Sequence, residues 1–350
     1  MAFIKGRKMK NDNIKKMIRN FVVFILLIFL TLWVILKDQS ITEILDVLNN
    51  VKNQYVFVGI ICMVMYLLLE GINMRRTLNA LGEKISLSQS FKYSLIGFFF
   101  SSITPAASGG QPMQIYYMHK DNISVANSTL ALLINLTSMQ ITTISLSIFS
   151  LIVNYKFMNS VLIILFTVGI LLNASALLLL LIGILSKRIS RKLIKIVIGI
   201  MKFLKVKNRI TKERKILKEL KKYQASAKYV KNNRRLMIKI LITTIIQFSF
   251  YYCIAYWTYR AFGFNSNNIF ELTTMQAVLF ATVSGIPSPG AVGVSEGAFI
   301  EIFRNIYPTN MIKSVTLLHR GINFYLFVLI SGIVVIVNDI RSRRVFENQK

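Results

Sequence analysis

Acidic side chains are scarce: 14 Asp and Glu stand against 43 Lys and Arg. So few carboxylates leave little material for a general acid/base dyad. Cysteine and histidine are scarcer still, at two each. Cys62 and Cys253 lie in apolar runs without Cys-x-x-Cys spacing, which excludes a disulfide framework and a zinc site built on them. They read as small apolar side chains packed between helices. His119 and His319 are too isolated to suggest a metal centre. The sequence has no Walker A motif, no Gly-x-Ser-x-Gly and no zinc signature. Its longest hydrophilic segment, 186–239, is short and rich in lysine, so no soluble catalytic domain is expected and a nucleotide-driven transporter is excluded for this chain alone. No cofactor is expected.

What is abundant is apolar sequence. Of the 350 residues 54% are hydrophobic, in several runs of the ~18 or more that cross about 30 Å of hydrocarbon. The net charge is +29, and the basic residues cluster in three places. Residues 1–19 carry seven Lys/Arg and one acid, Asp12. Residues 186–239 carry twenty Lys/Arg with only Glu213 and Glu219. The tail adds Arg341, Arg343, Arg344 and Lys350. Cytoplasmic flanks of membrane helices carry this bias, and anionic inner-leaflet lipid attracts it. Nucleic acid is therefore not an expected partner. The run Phe21–Leu36 follows a basic segment, as in a signal peptide, but Lys37-Asp38-Gln39-Ser40 offers no small-x-small cleavage site; it reads as an uncleaved first span.

Further spans are expected at Tyr55–Asn73, Ser124–Asn154, Val161–Leu185, Ile240–Tyr259 and Ile312–Val337. Two more apolar segments, Tyr93–Met118 and Leu272–Phe303, are broken, and four of the five prolines lie in the breaks. Proline removes a helix hydrogen bond, and broken backbone at membrane depth survives only when buried in protein or lining a wet cavity. Placing the basic segments inside forces each broken segment to begin and end on one side, the first inside and the second outside. The expected architecture is an all-α polytopic membrane protein, with about six full spans plus two Pro/Gly-broken re-entrant hairpins in inverted repeats, the arrangement transporters use for a midplane site. The rival reading makes each broken segment a pair of full crossings. The units are a basic cytoplasmic N-terminus (1–19), a first membrane half (20–185), a basic cytoplasmic loop (186–239), a second membrane half (240–340) and a cytoplasmic tail (341–350). Within Ile189–Leu204 apolar residues recur at helical spacing between lysines, which suggests helices lying on the inner leaflet, a solvated linker being the alternative.

Charges within the spans are the candidates for chemistry. Glu70 lies more than one turn inward from Arg75, Arg320 lies about two turns into the last span, and Glu296 follows the second break. An isolated charge at that depth costs roughly 2.5–3.5 kcal/mol or more. Arg320 is thus a candidate phosphate contact or the partner of Glu296 or Glu301, and Glu296 is a candidate helix cap. Gly109-Gly110 and Gly290…Gly293 let backbone amides approach a ligand, and half-helix starts offer an anion site. A phosphodiester head group would suit them; tight turns closing a hairpin are the alternative.

The breaks Thr104-Pro105-Ala106-Ala107-Ser108-Gly109-Gly110-Gln111-Pro112 and Pro287-Ser288-Pro289-Gly290-Ala291-Val292-Gly293-Val294-Ser295-Glu296-Gly297 resemble the two signature loops of the lysylphosphatidylglycerol synthase transmembrane (flippase-like) family. Leu317-Leu318-His319-Arg320-Gly321-Ile322-Asn323 and Glu70…Arg75 also look like it, and the resemblance spans most of 15–340. It implies a protein that binds and translocates a phospholipid across the bacterial inner membrane, with N- and C-termini cytoplasmic. The implied substrate-binding set is Thr104, Pro105, Ser108, Gly109, Gly110, Gln111, Pro112, Pro287, Pro289, Gly290, Gly293, Glu296, Arg320, Glu70 and Arg75. Full-length relatives add a cytosolic domain that transfers lysine from lysyl-tRNA to phosphatidylglycerol. This chain ends ten residues after Ile340, so a short form without that domain is expected, with a separate lipid-modifying enzyme and a second copy of the chain as the expected protein partners. Ala291 replaces the second Gly of the usual Pro-Gly-Gly, and Ser295 replaces an Arg often found before the Glu, which leaves the lipid open. A phosphatidylglycerol lysyltransferase and a small-solute secondary transporter are the alternative functions.

Overall fold

In hydrocarbon a backbone amide has no water to bond, and a helix satisfies its amides internally. The computed structural model describes residues 47–155, 159–186, 209–286 and 288–347, with scattered positions between 188 and 201, and every regular element among them is helical. The expected first span, Phe21–Leu36, and the basic segment 1–19 lie outside the described residues, as does much of 189–204.

Five described helical stretches are long and apolar enough to span a membrane: Asn53–Ala80, Val125–Asn154, Ser160–Ile184, Arg234–Ala261 and Ile312–Ile340. They coincide with five of the expected spans. Helix α1 (Asn53–Ala80) outruns the expected Tyr55–Asn73 by about two turns, because Met74, Thr77 and Leu78 continue its buried face. It ends where Gly82 turns left-handed (φ 84°) and the Glu83 amide donates back to the Leu78 carbonyl (2.9 Å), a Schellman closure.

Each broken segment is a helix–turn–helix hairpin. The first comprises α2 (Leu87–Ser102), a 3₁₀ turn at Pro105–Ala107 and α3 (Gly110–Lys120). Two membrane helices follow, α4 (Val125–Asn154) and α5 (Ser160–Leu185), then the basic helix α6 (Arg209–Asn232) and the span α7 (Arg234–Ala261). The second hairpin comprises α8 (Ile269–Ser284), a 3₁₀ turn at Pro289–Ala291 and α9 (Val294–Phe303). The last span is not one uniform helix: α10 (Ile312–Arg320) passes through a π-helical turn at Gly321–Tyr325 into α11 (Leu326–Glu347). The longer arm of each hairpin has 16 residues, about 24 Å at ~1.5 Å per residue, too short to cross about 30 Å of hydrocarbon.

Helices α1 and α7 form the central seam and run antiparallel. At one end the Lys52 amide donates to the Ala261 carbonyl (2.8 Å) and Arg260 Nη2 donates to the Tyr55 hydroxyl (3.2 Å). At the other, Asn73 Nδ2 donates to the Thr244 hydroxyl (3.0 Å), and Arg76 Nη1 donates to the Lys239 carbonyl (3.0 Å) and Thr243 hydroxyl (2.8 Å). The remaining contacts follow the same exchange of halves: α2 packs on α1 and α11, as α8 packs on α7 and α4. The hairpins therefore enter the bundle from opposite ends, and their two 3₁₀ turns meet.

Candidate functional site

The meeting point of the turns is built from one backbone motif used twice. Thr104 (φ −120°, ψ 143°) and Ser288 (φ −108°, ψ 148°) precede Pro105 and Pro289. The Ala107 amide then donates to the Thr104 carbonyl and the Ala291 amide to the Ser288 carbonyl, both at 3.2 Å. In both loops the two residues after proline are left-handed: Ala106 and Ala107 at φ 52°, Gly290 at φ 59° and Ala291 at φ 51°. Side chains disfavour that region by roughly 1–2 kcal/mol per residue, so three of these four positions store strain, as functional turns often do. Pro287 lies outside the described residues.

Beyond the shared turn the loops diverge. The second is closed by its own ion pair. Arg320 Nε donates to Glu296 Oε1 (2.8 Å), and its Nη2 donates to the Gly290 carbonyl (3.0 Å). The Tyr325 hydroxyl donates to the same carboxylate oxygen (2.8 Å), while Glu296 Oε2 accepts the Gly293 amide (2.7 Å) at the start of α9. The guanidinium also stacks over Phe324, 4.2 Å from the ring centroid. Arg320 is 4% exposed and Glu296 1%. The carboxylate thus occupies the helix N-terminus that an anionic ligand would need. Of the alternatives open for Arg320, the structure contains the pair with Glu296; Glu301 bonds Asn159 (2.8 Å) and Arg304 (2.9 Å) instead. Gly290 is required twice over, by its positive φ and by Phe324, whose ring lies where a Cβ would stand.

The first loop is open. Pro105, Ala106, Ala107 and Ser108 are all exposed, and the N-cap of α3, Gly109, has no side chain of its own to cap the helix. Thr104 braces this loop, its hydroxyl donating to the Phe100 carbonyl (2.6 Å) and accepting the Gly109 amide (2.9 Å). The Ser108 hydroxyl donates to the Pro105 carbonyl (2.8 Å). Gln111 is half-buried and Pro112 exposed in the first turn of α3, where proline costs no hydrogen bond. Gly110 does not face the opening. It is buried against α2, and a Cβ there would collide with the Ser101 hydroxyl and approach the Gly97 carbonyl at 2.8 Å.

Glu70 and Arg75 separate. Glu70 lies on the inner side of α1, where Gln114 Nε2 of α3 approaches its Oε1 at 3.5 Å while donating to the Tyr93 carbonyl at 3.0 Å. Gly97 provides the notch that holds Gln114. Arg75 is exposed, and its Nε donates to the Ile85 carbonyl (3.1 Å) at the mouth of the first hairpin. The structure therefore brings Glu296, Arg320, Gly290 and Gly293 together, joins Glu70 to the first hairpin, and leaves Arg75 apart. Sequence reasoning missed Gln114, Phe324 and Tyr325. Gln114, one helical turn beyond Gly110 in an apolar segment, carried a signal; Tyr325 reaches Glu296 from a π-helical turn that the sequence does not announce.

A membrane protein of Archaeoglobus fulgidus designated UPF0104 is 22% identical over 293 residues, which cover 82% of this chain and 87% of that protein. The family described as lysylphosphatidylglycerol synthase TM region matches residues 20–331, and this chain, a multi-pass α-helical membrane protein, belongs to it.

Proposed function

We propose that the protein binds phospholipid head groups between its two hairpins and moves phospholipid between leaflets of the cell membrane. The observation that carries this reading is the pair of opposed hairpins meeting at their turns, with residues 105–108 exposed and a glycine at the N-cap of α3. A path for a head group needs polar backbone at a depth where acyl chains stay in lipid, and broken helices supply it. The start of α3, at Gly110 and Gln111, offers an anion the positive end of a helix. Arg320, with Glu296, holds the second loop in shape through Gly290 and Gly293. Loops 186–239 and 341–350 face the cytoplasm in this reading, because that end of the bundle gathers Arg75, Arg76, Lys84, Lys92, Lys120 and α6.

The test is reconstitution in vesicles whose outer leaflet is bleached by an impermeant reductant. Fluorescent phosphatidylglycerol, phosphatidylcholine and lysyl-phosphatidylglycerol are each followed. The reading requires faster exposure of inner-leaflet label than in protein-free vesicles for at least one lipid. Rates equal to those of empty vesicles for all three would end it.

A further inference from the structure

Helix α6 lies across the mouth of the first hairpin and holds both of its ends. Glu83, in the turn entering the hairpin, accepts from Lys222 Nζ (3.1 Å), from Asn127 Nδ2 (2.7 Å) and from the Ser124 amide (3.4 Å). Ser124 follows the hairpin's exit and precedes α4. Glu219 of α6 accepts from the Ser124 hydroxyl (3.2 Å) and the Ala126 amide (3.0 Å), capping α4 with a carboxylate from another helix. The Ser226 hydroxyl donates to Asn127 Oδ1 (2.9 Å), and the Tyr223 hydroxyl donates to the Gly183 carbonyl near the end of α5 (2.8 Å). Beneath these bonds Ala227 and Val230 pack with Leu130 and Ile134 of α4.

The inner face of α6 is thus spent on the bundle. Its outer face shows Arg214, Lys218, Lys221, Lys222 and Lys228, with Leu217 and Tyr229 also exposed. The helix sits at the level where membrane spans end: α4 starts at Val125, α5 stops at Leu185, and α7 begins at Arg234, two residues after α6. A lysine-rich helix with exposed apolar side chains at that level meets phospholipid head groups, not bulk water. Its charge complements an anionic bilayer surface.

We propose that the outer face of α6 is a binding surface for anionic phospholipid head groups, and that occupancy is relayed to the first hairpin through Lys222–Glu83 and Glu219–Ser124. A phosphate drawing Lys222 outward competes with Glu83 for the same ammonium. Glu83 then keeps its bonds to Asn127 and Ser124 but loses its ion pair with α6, whose hold on the hairpin exit through Glu219 remains. The proposal does not depend on lipid translocation.

Two measurements on the full chain in nanodiscs test it. In the first, spin-labelled phosphatidylglycerol and phosphatidylcholine report their relative affinity for the protein surface. At low salt phosphatidylglycerol is preferred, by up to about fivefold for each lysine that contacts it. The preference falls toward unity in K218Q/K221Q/K228Q and in high salt. These lysines lie outside the clamp, and an unchanged melting temperature in zwitterionic lipid verifies the fold. No preference in the unmutated protein, or one retained by the triple variant, overturns the surface. In the second, Ser108→Cys in a C62A/C253A background reports the opening at the first turn. Its labelling rate changes at least about twofold between phosphatidylcholine and phosphatidylglycerol discs, and Lys222→Gln abolishes the change. A lipid dependence that survives Lys222→Gln, or none at all, overturns the relay.

Discussion

Ala291 and Arg320 carry the sharpest consequences for single residues. Ala291 stands at φ 51°, where glycine meets no Cβ penalty. Ala291→Gly should therefore stabilise the protein by about 1 kcal/mol, the left-handed penalty less the added unfolded-state entropy. The readout is the thermal midpoint in detergent; a fall would mean that the alanine methyl packs usefully. Arg320→Ala acts in the opposite direction. It leaves Glu296 buried with its main counter-charge gone, which costs about 3–5 kcal/mol. Glu296→Gln added to Arg320→Ala should recover part of that loss, since the stranded charge disappears. Arg320→Lys should fall between, because one ammonium reaches Glu296 without the second, directed bond to the Gly290 carbonyl. A fully stable Arg320→Ala would show that the pair contributes nothing to the fold and return Arg320 to the ligand. The pair itself was foreseeable, since a charge at that depth requires a partner. What could not be read from sequence was which acid would be near: Glu296 and Glu301 lie five residues apart on different faces of α9, and it is Glu296 that meets Arg320 while Glu301 pairs with Arg304.

At the scale of elements, the two hairpins make a labelling prediction that separates re-entrance from paired crossings. The mouth of the first hairpin lies at Lys84 and Asn122, and that of the second at Asn268 and Thr309, all exposed. Single cysteines at the first pair should react with an impermeant reagent from one side of the membrane, and those at the second pair from the other. Ser108→Cys, at the tip of the first hairpin, should not react from the Asn268 side at the rate of Asn268→Cys. Equal rates there would mean that α2 and α3 cross completely. The breaks were legible because four prolines and clustered glycines interrupt two apolar runs. The meeting of the tips was not, because it joins positions some 180 residues apart through contacts that no local pattern encodes. Nor was α6, whose inner stripe of Glu219, Tyr223, Ser226, Ala227 and Val230 mixes polar and apolar residues and so lacks the clean amphipathic signature of a surface helix.

The described residues have two unlike ends, and the difference predicts an orientation that can be measured. One end carries Arg75, Arg76, Lys84, Lys92, Lys120, Arg234, Arg235, Lys239 and the exposed lysines of α6; the other carries Lys52, Arg260, Arg304 and Lys313. Basic loops are retained in the cytoplasm, so the end with α6 should face inward. The antiparallel seam of α1 and α7 then assigns every described loop, because Lys52 lies beside Ala261 at the opposite end from Arg76 and Lys239. A reporter active only outside the cell should work when inserted between Gly263 and Asn268 and fail when fused after Lys350. With Phe21–Leu36 as a sixth crossing, a reporter at the N-terminus should also fail. The three positions test separate steps of the reasoning. Activity after Lys350 together with silence at Gly263–Asn268 would invert the whole bundle and set aside the charge argument. Activity at the N-terminus with the other two as expected would leave the bundle in place and remove only the crossing at Phe21–Leu36.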